Sequence, residues 1–113
     1  MTSKEITIAG KAVSVAYCYA TEIGFHRYTG KNLDEFDATD PEHVTYLIIS
    51  AILSYYQGRD EEPPVKDEDL MYQAKPKELI EAMAAIFKLR AEWYELPVGE
   101  PKDEAKGEPS KND

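Results

Sequence analysis

Between Asp40 and Tyr56 the chain carries apolar side chains on nearly every side of a helical wheel. Val44, Leu47, Ile48, Ala51, Ile52 and Tyr55 recur at helical spacing, and Tyr46, Ile49, Leu53 and Tyr56 form a second row beside them. Only a seam of Ser50, Ser54 and Gln57 interrupts this surface. Small hydroxyl side chains can bond to the carbonyls of their own helix, so such a seam tolerates burial. A helix apolar nearly all round belongs at the centre of its domain. Its start is marked by Asp40 as N-cap, Pro41 at the first helical position and Glu42 near the positive end of the macrodipole; Gly58 marks its stop. The apolar span is too short for a bilayer, which requires about 20 residues.

Ahead of this helix the period changes. Lys4 to Ile8 and Ala12 to Val15 alternate polar and apolar residues around Ala9-Gly10-Lys11, which predicts a small hairpin with Ile6, Ile8, Val13 and Val15 facing inward. A two-stranded ribbon is marginal alone, so it must pack on the helices or pair with another chain's edge. Tyr17 to Tyr28 predicts a helix with Tyr19, Ile23 and Arg27 or Tyr28 on one line and Cys18, Phe25 and Tyr28 on the next. Gly24 weakens it by roughly 1 kcal/mol relative to Ala. Gly30 ends it, and Asn32 caps a short turn that drops Leu33 and Phe36 onto the core.

Beyond Gly58, the segment from Arg59 to Pro64 is a polar connector. Val65 to Tyr72 predicts a short helix with Asp67 as cap and Leu70 and Met71 as anchors. Pro76 to Leu96 predicts an amphipathic helix whose apolar stripe is Leu79, Ile80, Met83, Ile86, Phe87, Arg90, Trp93 and Tyr94. Glu78, Glu81, Lys88, Glu92 and Glu95 fall on its outer side. From Pro97 the chain is Pro, Gly, Lys and acids with almost nothing to bury. The expected fold is therefore mainly α: a small helical domain over residues 1–96, with three main helices, one or two short ones and a short N-terminal β-hairpin, followed by a disordered low-complexity tail over 97–113.

Charge narrows the partners. A net charge of -9, from 22 acidic and 13 basic residues, argues against binding a nucleic-acid backbone. It suits a soluble protein that meets basic or apolar partners. The single cysteine, Cys18, excludes an internal disulfide and fits a reducing cytoplasm, and the N-terminus has no apolar stretch long enough for a signal peptide. A core of this size is modest, so a partner can complete an exposed apolar face, and self-association stays open.

Chemistry is sparse. The acidic runs Asp34 to Glu42 and Asp60 to Asp69 lack the order of a calcium loop and sit just ahead of helices, where caps and dipole favour them. With His26, His43 and Cys18 alone, no set of four zinc ligands forms, and no cofactor is expected. His43 reads as a surface residue beside acids. The eight tyrosines, three phenylalanines and one tryptophan exceed what so small a core needs, and interfaces favour such residues. Phe87, Trp93 and Tyr94, with Met83 and Met71 as adaptable neighbours, are the candidate partner-binding residues; equally, Trp93 and Tyr94 can close the bottom of the core.

The junction Thr29-Gly30-Lys31-Asn32-Leu33-Asp34-Glu35-Phe36, followed by the apolar helix of Leu47, Ile48, Ile49, Ala51 and Leu53, resembles the tail assembly chaperones of long-tailed bacteriophages and prophages. The resemblance runs from about Val13 to Tyr94. It implies a non-catalytic, mostly helical protein of the host cytoplasm, absent from the mature virion. Such chaperones keep the tape-measure protein, a long helical chain, soluble until tail-tube subunits assemble around it, and a frameshifted longer form often recruits the tube subunit. No catalytic or contact residues carry over from the family. Two other classes stay open: a small acidic regulator that binds a basic partner by mimicking nucleic-acid charge, and a small enzyme using a carboxylate pair or Cys18 with His26.

Overall fold

The computed structural model describes residues 2–95. Over them the chain forms a two-stranded hairpin followed by four helices, a mainly α architecture as expected. Leu96 and the expected disordered tail, 97–113, lie outside the described residues.

Strands β1 (Ser3–Ile8) and β2 (Lys11–Ala16) pair antiparallel, with Ile6 opposite Val13 and Ile8 opposite Lys11. Ile6, Ile8, Val13 and Val15 are buried on one face, as the alternation predicts. The two-residue loop has positive φ at both Ala9 (54°) and Gly10 (77°), the type I′ geometry that matches strand twist. Glycine takes this conformation freely, whereas an L-residue such as Ala9 resists it by roughly 1–2 kcal/mol. Glu78 holds the loop in place: its carboxylate accepts from the Ala9 amide at 2.9 Å and the Gly10 amide at 3.1 Å. On the other strand, the outward Ser14 amide donates to the Tyr56 hydroxyl at 3.0 Å.

Helix α2 (Pro41–Gln57) is the centre of the domain. Asp40 caps it by accepting from the Glu42 and His43 amides, and Val44, Leu47, Ile48, Ile49, Ala51 and Ile52 are buried. Each such side chain, removed from water, contributes about 1.5–3 kcal/mol of burial free energy. Helix α1 (Tyr19–Thr29) packs along α2 and ends at Gly30, whose φ of 73° is the left-handed C-cap. Leu33–Glu35 forms a single 3₁₀ turn, with the Glu35 carboxylate accepting from the Asn32 amide at 3.0 Å. It delivers Leu33 to the core and Phe36 against Phe25 and Phe87.

Helix α3 (Asp67–Tyr72) is short and starts one residue earlier than a cap at Asp67 implies. Lys66, not Asp67, occupies the N-cap, and Asp69 accepts from its amide at 2.8 Å. Val65 and Leu70 are buried, whereas Met71 is 53% exposed and does not anchor the helix. Helix α4 (Pro76–Glu95) lies against both β1 and α2, so the hairpin bridges α2 and α4. Its inward face is turned from the predicted stripe: Ala82, Ile86 and Leu89 are buried, while Ile80 and Tyr94 are exposed. Small Ala82 lies where the helix meets its neighbours, and Leu79, Met83, Phe87 and Trp93 flank that line, half-buried.

Candidate functional site

The polar seam of α2 faces α1. Thr21 lies beside Ser54, with 2.7 Å between hydroxyl oxygens, Gly24 lies over Ser50, and the Tyr28 ring stacks on Tyr46 at 4.6 Å, so the two helices run antiparallel. Proton bookkeeping orders the hydroxyls. Ser54 uses its proton on the Ser50 carbonyl at 2.8 Å, so it accepts from Thr21, whose other acceptor, the Ala16 carbonyl, is farther off at 3.4 Å; Thr21 in turn accepts from the Cys18 amide at 3.1 Å. This chain fixes the start of α1 on the end of α2. At the next contact, a β-carbon on Gly24 would stand 2.7 Å from Ser50 Oγ, so the absence of a side chain is what lets the helices close. Ser50 Oγ itself is buried and has no partner among the described residues.

Packing through these small residues and Phe25 corrects the face predicted for α1. Thr21 and Phe25 are buried, while Tyr19 (65%), Ile23 (38%) and Tyr28 (49%) are exposed. Beside the contact runs a groove of about 670 Å³. Helix α1 contributes Ala20, Ile23, Gly24, Arg27 and Tyr28 to it. Helix α2 contributes Ser50, Leu53, Ser54 and Gln57, and Cys18 and Gly58 stand at one end. None of these residues is Asp or Glu, although the chain carries 22 acids. Arg27 makes no ion pair or hydrogen bond among the described residues.

A second polar cluster joins the end of α4 to the start of α1. The Tyr17 and Tyr94 hydroxyls both donate to Glu22 Oε2, at 2.8 and 2.6 Å. Arg90 donates from Nε to the Tyr17 hydroxyl at 3.2 Å and from its terminal nitrogen to Asp34 at 3.1 Å. Burial, reinforced by the Glu22 carboxylate that receives its proton, pushes the Tyr17 phenol far above the usual range. The hydrogen bond to Glu22 raises Tyr94 as well. Both phenols are therefore protonated donors at neutral pH. The cluster clamps α4 and offers no activated nucleophile.

This geometry separates the five residues singled out on sequence. Met83, Phe87 and Trp93 pack against the core: Phe87 meets Phe36 edge-on at 5.1 Å, and Trp93 meets Tyr17 at 5.6 Å. Tyr94 is 58% exposed but its hydroxyl is engaged by Glu22. Met71 stands exposed on α3. His43, read as a surface residue, is buried between Phe25 and Phe36; its Nδ1 accepts from the Asp37 amide at 3.0 Å, which fixes the proton on Nε2. Cys18 is half-buried at the groove, and His26, exposed on α1, makes no hydrogen bond to it. Among the described residues no group of His, Cys, Asp and Glu is placed to hold a metal ion, and no helix is long and apolar enough to cross a membrane.

No protein-family model, no curated protein and no solved structure matches this chain. The groove itself went unread in the sequence. Its signal was there in two short steps of small residues, Ala20 with Gly24 and Ser50 with Ser54, each spaced one helical turn apart.

Proposed function

We propose that this chain is a non-catalytic chaperone of the phage tail-assembly type, which covers apolar helical stretches of the tape-measure protein before the tail tube forms around it. The observation that carries this reading is the groove between α1 and α2, lined by the exposed Ile23 and Tyr28 and free of acids. A groove between two helices receives an amphipathic helix through side-chain contacts, and tyrosine supplies contact area with few rotors to immobilise. The negative charge of the rest of the chain keeps loaded complexes apart. The resemblance in the Thr29 to Phe36 junction names the client class.

Co-expression with the proteins encoded beside it tests the reading. At about 0.3 M salt, where surface attraction is strongly screened, the chaperone should retain a long helix-rich neighbour that is insoluble by itself. Recovery of a basic protein alone, released as salt rises, would replace this reading with the acidic regulator.

A further inference from the structure

We infer that the α1–α2 groove selects an amphipathic helix bearing a carboxylate at one end of its apolar row, with Arg27 as the charge that receives it. The inference rests on the chaperone reading and adds the chemistry of the client. Both walls of the groove are helices, whose backbone amides and carbonyls are already paired, so an extended strand finds no edge to join. The small side chain of Ala20 lets another helix approach closely, and Ile23 and Leu53 supply the apolar contact. Helix α1 has 11 residues, so the groove is about 16 Å long at 1.5 Å per residue and takes about three turns of an occupant.

Charge fixes the remaining feature. In a chain where acids outnumber bases by 22 to 13, a surface with one arginine and no acid departs from its surroundings. Arg27 lies at the Tyr28 end of the groove, opposite the end occupied by Cys18 and Gly58, and it has no counter-ion among the described residues. Arg27 is exposed and without a counter-ion among the described residues, so its guanidinium is free to take a carboxylate that arrives with the occupant, through a pair of parallel N–H···O bonds. Such an acid would also orient the client helix, since only one end of the groove can accept it.

A displayed library of helical peptides of about 20 residues, long enough to be helical alone, is selected against the full chain at about 0.15 M salt. The expected winners carry an apolar i, i+3 or i+4, i+7 row with Asp or Glu at one end. Their affinity falls about tenfold in Arg27→Glu and returns when the peptide acid is exchanged for Lys. Leu53→Glu abolishes binding of both peptide versions, with helical circular dichroism unchanged in each variant. Winners with no acid in a fixed place, a loss in Arg27→Glu that the exchange does not restore, or binding indifferent to Leu53→Glu overturns the inference. Failure of the chaperone reading shows separately, as no tape-measure protein recovered with the wild-type chain.

Discussion

Gly24 and Ser50 set the distance between α1 and α2: the glycine leaves room for a serine hydroxyl that touches it and bonds to nothing else among the described residues. An unpartnered buried hydroxyl costs about 1–3 kcal/mol. Ser50→Ala should therefore raise stability, by about 1 kcal/mol. Gly24→Ala gains helix propensity but brings its methyl to 2.7 Å from Ser50 Oγ and 3.1 Å from its Cβ, so it should destabilise. In the Ser50→Ala background the cost should shrink. Urea titrations of the four proteins give a coupling energy of about 1 kcal/mol; strict additivity would show that the helices separate freely.

Glu78 ties the hairpin to α4 and gives the fold an acid limit. Amides of Lys75, Gly10 and Ala9 hold its carboxyl below the usual carboxylate range. Its folded pKa is depressed, so the stabilisation is fully present above the unfolded value, near 4.5, and is lost as pH falls through the folded value. Thermal melts of wild type and Glu78→Gln should differ at pH 7 and converge near the acid end. A constant gap across the range would remove the linkage.

Trp93 and Tyr94 adjoin in sequence and differ in what they support. Trp93→Ala removes an indole packed against Tyr17 and should cost about 2–3 kcal/mol, visible as a lower urea midpoint. Tyr94→Ala removes one donor to Glu22 and an exposed ring that lies edge-on to Trp93 and beneath Arg90, a smaller change of about 1 kcal/mol. Equal effects would mean that the end of α4 does not pack as described.

Ala9 is the strained member of the type I′ turn. Asn tolerates positive φ, and Asn-Gly is the preferred pair for this loop. Ala9→Asn should raise stability by about 1 kcal/mol while leaving the amide bond to Glu78 in place, which a denaturant series and the amide shift of residue 9 would both register.

What the sequence made legible follows a physical line. Helix α2 was readable because its cap, its proline and its apolar rows all point the same way, and the hairpin because alternation and Gly10 agree. Helix α4 was readable as a helix but not in its rotation. The pattern favours large side chains such as Ile80, whereas its inward line runs through Ala82. Glu78 reads as an outer acid until the hairpin turn is brought over it. His43 reads as polar until Phe25 and Phe36 close around it. The groove needed two helices to be placed side by side, since neither Ala20-Gly24 nor Ser50-Ser54 marks a cleft alone.

The hydroxyl that Tyr56 lends to the Ser14 amide bears on how this molecule behaves in a crowd. The register turns Glu5 and Thr7 outward on β1 just as it turns Ser14 outward on β2, but only Ser14 has met a partner among the described residues. The ribbon is thus engaged at Ser14 on its β2 flank and open along β1. Backbone pairing with another strand is therefore favoured across β1 over β2, where the Tyr56 hydroxyl must first be displaced.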